Sequence, residues 1–311
     1  MSRKLQPINE SNDKLKKIIR CKNGKEIASG TFGSVEICGK RRSRYAIKTF
    51  RPNSVQETKS EVKKNALEEV ELNSEVIRRL GSKTRSVTLL IPDDSEINSE
   101  TAYYFPTGDN CYIIYATCQG RSAIDLYDLQ ANKALRQDTS FWICGELSLK
   151  IRSLHKLGIY HNDIKRENVL ACIRNRDGDT YIRLIDFGLS VINQSFSSSQ
   201  YPGGTYKNLT PTLQKLIYRV LGFSDWKAIT SLELTYKPYG KSFISDNRAR
   251  DNFATVVTCC LILRGKAVDY KHPVIASLKR ILSDLKNGDL NTVWNACKQY
   301  KESGRIIKDD K

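Results

Sequence analysis

The front of the chain alternates apolar and polar residues with the period of a β-strand. Residues 35–38 alternate, and a basic turn separates them from a second apolar run at 45–50. Residues 101–105 and 111–115 are two further apolar stretches, which flank a Pro- and Gly-containing turn at 106–110. Strands joined by such turns pair as hairpins, so this pattern predicts a small antiparallel sheet.

Between these strands, from about residue 55 to residue 80, the period becomes helical. One predicted face carries Val62, Ala66, Leu72, Asn73, Val76, Ile77 and Leu80, and charged residues fill the other face. This spacing of three and four residues predicts an amphipathic helix. Gly81 follows the last apolar position, so we expect it to end the helix as a C-cap.

The rest of the chain is mainly helical in pattern. Residues 123–157 predict helix, residues 169–185 predict a second hairpin, and residues 190–210 are rich in Ser and Gly and predict a loop. The pattern therefore predicts an α+β fold with a β-rich front lobe, which contains one helix, and a larger helical rear lobe. We expect a basic leader at 1–22, the front lobe at 23–116 and the rear lobe at 117–311.

Composition narrows the class of protein. The chain has 311 residues, 40% of them hydrophobic, and a formal net charge of +17. Nine cysteines occur without a C-x-x-C pair and there are three histidines, which argues against a zinc site or a disulfide framework and favours free thiols inside a cell. We expect no membrane-spanning helix, because no apolar run approaches the required length of about 18 residues. The positive charge fits nucleic acid, an acidic protein substrate, an anionic membrane surface or plain solubility, and charge alone does not choose among them.

The first candidate for chemistry is a glycine turn between two predicted strands. It reads Ala28, Ser29, Gly30, Thr31, Phe32, Gly33, Ser34 and Val35. Two glycines three residues apart let the backbone bend tightly and bring its N–H groups against phosphate oxygens. Lys48 lies in an apolar strand 15 residues after Gly33, where a cation could meet the same phosphates.

A second candidate lies between the apolar helix and the second hairpin. The loop at 161–168 contains Asp163, Lys165 and Asn168, and Asp186 ends the second strand of that hairpin. Asp163 would orient a hydroxyl and accept its proton, while Lys165 would neutralise charge on a transferring phosphoryl group. Asn168 and Asp186 supply oxygen ligands of the kind that Mg²⁺ prefers. We expect His161, by contrast, to brace the loop.

Taken in order, these motifs resemble those of eukaryotic-type protein kinases, over roughly residues 20–300. The resemblance implies a two-lobed fold, ATP and Mg²⁺ as cofactors, and phosphoryl transfer to protein substrates. Lys165 followed by Glu167 and Asn168 is similar to the serine/threonine type. The resemblance also makes Tyr115 the gatekeeper, and residues 116–118, with Thr117 and Cys118, the hinge that holds adenine.

Such kinases pair the strand lysine with a glutamate on the front-lobe helix. The candidates here are Glu61, Glu68, Glu69, Glu71 and Glu75. A glutamate that faces the site should be followed by apolar residues at positions three and seven. Glu69 meets this condition with Leu72 and Val76, so we expect Glu69 to pair with Lys48.

The chain departs from the family pattern at several positions. Ala28 replaces the first glycine of the loop. Asn162 stands where most of these kinases carry an arginine that receives an activation-loop phosphate, which suggests activity without that switch. The serines at 195–199 are then expected to form a plain flexible loop.

The segment that docks the substrate peptide also departs from the pattern. It starts at 204–205, but the expected Ala-Pro-Glu that ends it is replaced by Thr210, Pro211 and Thr212. Either Asp225 or Asp251 could open the central rear-lobe helix. We favour Asp251, which resembles the casein-kinase-like branch and implies an insertion at about 213–245.

Three alternatives to an active protein kinase remain. A pseudokinase or scaffold would bind a partner without catalysis, and a small-molecule phosphotransferase would share the fold but usually lacks the lysine at position 165. A nucleic-acid-binding protein is disfavoured because no such motif accompanies the basic turn. We expect a monomer in the cytoplasm or nucleus, with no membrane partner, and the irregular rear lobe suits a virus- or pathogen-encoded kinase.

Overall fold

The chain divides into two compact units, Met1–Ser122 and Ala123–Lys311, in a computed structural model. The structure describes residues 25–30, 33–40, 43–50, 52, 58–89, 103–107, 110–118, 122–132, 135–173, 180–193, 211–223, 246–266 and 268–304. The leader at 1–22, the serines at 195–199 and the segment at 204–205 lie outside these residues.

The first unit contains a five-stranded antiparallel sheet. Its strands are β1 (Lys25–Gly30), β2 (Gly33–Lys40), β3 (Ser43–Phe50), β4 (Tyr103–Thr107) and β5 (Asn110–Ala116), in the order β1-β2-β3-β5-β4. The predicted turn at 106–110 is wrong at its ends, because Pro106 pairs with Cys111 and Thr107 pairs with Asn110. Proline is tolerated there because β4 is the edge strand, where a missing N–H need not break the sheet.

Helix α1 (Lys59–Leu80) accompanies this sheet, followed by a 3-10 turn (Gly81–Lys83) and the short helix α2 (Thr84–Val87). Thr58 begins α1 with a capping box, since its hydroxyl accepts from the Glu61 N–H and the Glu61 carboxylate accepts from the Thr58 N–H. Gly81 ends the helix with φ 52° and donates its N–H to the Ile77 carbonyl. The predicted helix and its glycine C-cap are confirmed, and the buried face includes six of the seven predicted positions, all but Leu72.

The second unit is largely helical. Its helices are α3 (Leu126–Asn132), α4 (Gln137–His155), α5 (Pro211–Leu221), α6 (Asn247–Ile262), α7 (Pro273–Ser283) and α8 (Asn291–Cys297), with 3-10 segments at Arg166–Asn168 and Lys298–Gly304. Strands β6 (Ser122–Asp125), β8 (Val169–Ile173) and β9 (Thr180–Leu184) form one sheet, and β7 (Ile159–Tyr160) pairs with β10 (Val191–Ile192). The prediction of helix from residue 123 is wrong for the first three positions, because they pair with β8 in the sheet.

Helices α4 and α6 both contribute fully buried apolar residues to the core of the second unit. Leu147, Ile151 and Leu154 of α4 are fully buried, as are Phe253 and Val256 of α6. Because α4 and α6 pack together in this core, they position the loop at 161–168 that follows α4. The predicted α+β class, with a strand-rich front part and a helical remainder, is confirmed.

The cysteines of this unit agree only in part with the expectation of free thiols. Cys144, Cys259, Cys260 and Cys297 are buried free thiols, whereas Cys172 is disulfide-bonded. Burial raises the pKa of the Cys144 and Cys260 thiols.

Within the described residues, no helix combines the length and the apolar character needed to cross a membrane.

Candidate active site

Lys48 and Glu69 form an ion pair inside the first unit. The Lys48 Nζ lies 2.9 Å from Glu69 Oε1 and 2.7 Å from Oε2, so the ammonium bridges both oxygens. Lys48 projects from β3 and Glu69 from α1, and their side chains are only 15% and 8% exposed. The structure therefore joins the two residues as the helix pattern predicted. Their part in binding ATP stays a prediction.

The predicted glycine turn joins β1 and β2. Gly30 pairs with Gly33, Ser29 with Ser34 and Ala28 with Val35, so the two glycines close a tight hairpin. Thr31 and Phe32, which stand between the two glycines in the sequence, lie outside the described residues. The expected role of this backbone around phosphate groups stays a prediction.

The predicted hinge follows β5. Tyr115 is the penultimate residue of β5, its hydroxyl donates to Glu69 Oε1 at 2.7 Å, and it accepts from Asn73 Nδ2 at 3.3 Å. Thr117 is half-buried, and Cys118 is buried and disulfide-bonded. The expectation of a free thiol is wrong at Cys118, and adenine binding by this segment stays a prediction.

In the second unit, Asp163 lies at the centre of a polar cluster. Its Oδ2 accepts from Lys165 Nζ at 2.8 Å and from Asn168 Nδ2 at 2.9 Å. Asn168 Nδ2 also donates to the Asp163 carbonyl at 2.9 Å, which ties both ends of the loop together. Asp163 is 7% exposed, so its charge is held by specific donors more than by bulk water.

His161 braces the same loop from beneath. Its ring is fully buried and packs against Phe187, with the ring centroids 4.8 Å apart. Nδ1 accepts from the Asp163 N–H at 3.4 Å, so Nε2 carries the proton and donates to the Ile185 carbonyl at 3.1 Å. His161 thus fixes the loop relative to the end of β9, which is the bracing role that the sequence suggested.

Two residues of this region have left-handed backbone conformations. Asn162 has φ 62° and Asp186 has φ 60°. Such angles cost energy in residues other than glycine and persist where neighbouring contacts enforce them, often at functional sites. The Asn162 Nδ2 donates to the Leu189 carbonyl at 3.4 Å, and the Ser190 hydroxyl donates to the His161 carbonyl at 3.2 Å. The segment after Asp186 is therefore tied directly to the loop.

Asp251 holds the backbone of the loop from α6. Its Oδ2 accepts from the His161 N–H and its Oδ1 from the Asn162 N–H, both at 2.8 Å. Of the two aspartates that the sequence left open, Asp251 therefore anchors the loop, and Asp225 lies outside the described residues. The expectation that Asp251 opens this helix is wrong, because Asp251 lies in the second turn of α6 and Asp246 caps the helix.

The insertion expected at 213–245 begins with regular structure. Pro211 starts helix α5, where its missing N–H is harmless because the first helical position has no intrahelical acceptor. Residues 224–245 lie outside the described residues.

The oxygens around Asp186 fit a divalent cation such as Mg²⁺. Asn168 uses its amide nitrogen on Asp163, which directs its carbonyl oxygen Oδ1 away from that contact. The Ile185 N–H donates to the Asn168 carbonyl at 3.1 Å. Because Asp186 is the residue after Ile185, this hydrogen bond brings its backbone close to that of Asn168. Asp186 is exposed, and an amide oxygen together with a carboxylate is a hard donor set of the kind that Mg²⁺ takes.

Sequence reasoning missed three residues that shape these clusters. Asn73 was placed on the apolar face of α1, and its amide contact with Tyr115 was not foreseen. His155 was given no role, yet its Nε2 lies 3.0 Å from Asp251 Oδ2. Thr58 carried a recognisable signal, the T-x-x-E of a capping box. The contacts of Asn73 and His155 join distant segments, and no local pattern reveals them.

A separate cavity of about 800 Å³ occurs in the described part of the second unit. It lies between α5 and the segment after α6, with Leu216, Arg219 and Tyr270 among its lining residues. The predicted site residues are not among those that line it.

Comparison with known proteins gives a family match and several relatives. A family model described as the protein kinase domain matches residues 21–214. The chain is 26% identical over 189 residues to the serine/threonine-protein kinase ppk18 of Schizosaccharomyces pombe, which covers 60% of this chain and 12% of that protein. It is 31% identical over 188 residues to the serine/threonine-protein kinase CBK1 of Debaryomyces hansenii, covering 60% of this chain and 22% of that one.

A human relative gives a similar result. The serine/threonine-protein kinase LATS2 of Homo sapiens is 26% identical over 185 residues, which covers 58% of this chain and 15% of that protein. The matched segment thus spans less than a quarter of each of these three relatives.

Proposed function

Because this chain belongs to the protein kinase family, we propose that it is an active serine/threonine kinase that phosphorylates protein substrates with ATP. The observation that carries the proposal is the cluster in which Lys165 and Asn168 both bind the Asp163 carboxylate. A lysine two residues after the aspartate is the pattern of the serine/threonine type. The named relatives are serine/threonine kinases, which supports the same substrate class.

Asp163 would act on the hydroxyl of the substrate. Its carboxylate would align a serine or threonine hydroxyl for in-line attack and accept the proton as the new bond forms. Lys165, held 2.8 Å from the same carboxylate, would offset negative charge on the transferring phosphoryl group. Neither role needs a covalent intermediate, because positioning and charge supply the rate enhancement.

The first unit would hold ATP. Lys48, oriented by Glu69, would bind the α- and β-phosphates, and the backbone N–H groups of residues 28–33 would cover the phosphates. Val35 would contact the nucleotide, and Tyr115, Thr117 and Cys118 would border adenine. We propose 23–116 and 117–311 as the two lobes of the kinase domain, with 1–22 as a basic leader.

Asn168 and Asp186 would hold Mg²⁺. When bound, this ion would neutralise part of the negative charge on the ATP phosphates. The left-handed backbone of Asp186 supports this assignment. Such a strained conformation persists only where neighbouring contacts enforce it, and it occurs often at functional sites.

Phosphate transfer from radiolabelled ATP to casein and histone tests the proposal. We expect Asp163→Ala to lower kcat by about 100-fold or more, because a general base contributes about 10² to 10⁴ in rate. Asp128→Ala is the matched control, since Asp128 is an exposed carboxylate on α3. Phosphoamino-acid analysis of the product should show phosphoserine and phosphothreonine.

The proposal fails if the wild-type chain binds ATP but transfers no more phosphate than Asp163→Ala. In that case, partner binding that is unaffected by Asp163→Ala and Lys48→Ala would favour the scaffold alternative. Phosphotyrosine as the main product would contradict the serine/threonine assignment alone.

A further inference from the structure

The hydroxyl of Tyr115 contacts the Lys48–Glu69 pair from the neighbouring strand. In the register of β3 and β5, Lys48 is opposite Ile113 and Ala46 is opposite Tyr115. Because side chains two residues apart lie on the same face of a strand, Lys48 and Tyr115 share one face of the sheet. Both reach Glu69 on α1, so this face is the one that meets the helix.

Asn73 approaches the same hydroxyl from α1. It follows Glu69 by four residues, and side chains at this spacing are neighbours on one helix face. Asn73 is fully buried and Glu69 is 8% exposed, although most of the buried positions of α1 are apolar. Two adjacent buried polar residues are costly unless they are hydrogen-bonded, which points to a specific role for their partners.

The hydrogen bonds of Asn73, Tyr115 and Glu69 form a chain in which each donor points toward Glu69. Asn73 Nδ2 donates to the Tyr115 oxygen at 3.3 Å, and the Tyr115 hydroxyl has a single proton, which it donates to Glu69 Oε1 at 2.7 Å. Lys48 donates to both Glu69 oxygens. The Glu69 carboxylate is therefore fixed by donors from two different strands, and the short bond from Tyr115 is charge-assisted.

We infer that Tyr115 is a positioning residue for catalysis, which holds the Glu69 carboxylate in the orientation that grips Lys48, and that Asn73 orients its hydroxyl. We call Asn73, Tyr115, Glu69 and Lys48 the Tyr115 relay. The inference rests on the proposed function for its kinetic consequence, but the relay itself is a property of the first unit. It gives the gatekeeper position a chemical role in addition to that of bordering the nucleotide.

The kinetic test replaces the hydroxyl and keeps the ring. We expect Tyr115→Phe to lower kcat by about tenfold with little change in KM for ATP, because a hydrogen bond to a charged group is lost while the binding surface is retained. Tyr112→Phe is the matched control, since Tyr112 lies on the same strand three residues away and hence on the opposite face. It should keep the wild-type kcat.

A second readout does not depend on activity. Lys48 of the full-length, nucleotide-free protein is acylated with an amine-directed reagent, and its rate of modification is measured by peptide mass spectrometry. We expect Lys48 to react at least threefold faster in Tyr115→Phe than in wild type, because Glu69 then holds the ammonium less firmly. Asn73→Leu should give a smaller increase, since it leaves the bond from Tyr115 to Glu69 in place.

The outcomes separate the relay from the proposed function. If the wild-type protein shows no kinase activity but Lys48 labelling follows the expected order, the proposed function fails and the relay stands. If Lys48 reacts equally fast in Tyr115→Phe, Tyr112→Phe and wild type, the relay is overturned whatever the activity. Thermal unfolding of each variant shows whether it is folded under the labelling conditions.

Discussion

A single buried carboxylate, Asp251, fixes the backbone of the candidate catalytic loop. It has no exposed surface, and its two oxygens accept the N–H groups of His161 and Asn162. The His155 ring adds a contact of 3.0 Å to Oδ2. A carboxylate suits this position because it offers acceptors on both oxygens and has no donor of its own when ionised.

Asp251→Asn should therefore destabilise the protein and reduce phosphate transfer. The amide would place an N–H₂ group against a backbone N–H and leave at least one buried donor without a partner. We expect a loss of about 2–4 kcal/mol in the free energy of unfolding, measured by urea denaturation. Transfer should fall together with stability, because Asp163 lies two residues from His161 on the same loop.

Asp289→Asn controls for this prediction. Asp289 is 52% exposed and lies 3.3 Å from Arg152, so its change should cost less than about 1 kcal/mol, as for other surface ion pairs. Equal losses in the two variants would contradict the role assigned to Asp251.

At the scale of elements, helix α1 shows what a local pattern can predict. Its apolar period predicted the buried face, and Gly81 predicted its end, because both signals depend on residues within a few turns. The pattern could not reveal that Asn73 meets Tyr115, since that contact depends on how β5 packs against the helix. Tertiary contacts of this kind explain why the pattern placed Asn73 on the buried face correctly but did not reveal its partner.

The segment after β5 shows the opposite case. Residues 123–125 were predicted to begin a helix, yet they form β6 because they pair with strand β8. By contrast, the candidate residues Asp163, Lys165 and Asn168 were found together because they are five residues apart at most, and the short loop that holds them forces their side chains to meet. Sequence predicted this cluster well for that reason.

Glu75 makes the stability of helix α1 depend on pH. Hydrogen bonds from Arg78, and to a lesser degree from Arg79, lower the pKa of Glu75 to about 2. A carboxyl whose pKa is lower in the folded state stabilises the protein above its unfolded pKa, near 4.5, and loses that contribution as pH falls toward 2. Glu75→Gln should therefore cost about 1 kcal/mol or less at pH 6, since the side chain is 33% exposed and solvent screens the pair.

The measurement is the urea midpoint of the wild type and of Glu75→Gln between pH 6 and pH 2.5. The difference between the two proteins should shrink steadily as pH falls through this window. Glu68→Gln is the control, because Glu68 is 63% exposed and lies 3.8 Å from Lys64. A difference that is constant across the pH range would contradict the assignment of the ion pair.

At the scale of the whole molecule, the order of motifs along the chain carried more information than its charge. The family model covers residues 21–214, and within it the candidate residues occur in the order Lys48, Asp163, Lys165, Asn168 and Asp186. The net charge of +17 fitted several classes of partner and so predicted none of them. Under the proposed kinase function, however, the same charge bears on which protein substrates the chain would encounter fastest.

A strongly positive protein attracts acidic substrates over distances of about a Debye length, which raises their rate of encounter. We therefore expect a serine peptide flanked by Asp and Glu to have a kcat/KM about three- to tenfold higher than one flanked by Arg, at about 50 mM salt. Raising the salt to about 300 mM should remove most of this advantage, because the Debye length falls below the spacing of surface charges. Steering changes encounter and leaves the chemical step alone, so kcat should differ little. A peptide flanked by Asn and Gln has the same shape without charge, and its kcat/KM should be nearly independent of salt. Faster phosphorylation of the Arg-flanked peptide, or a preference that persists at high salt, would show that local contacts at the peptide site outweigh the overall charge.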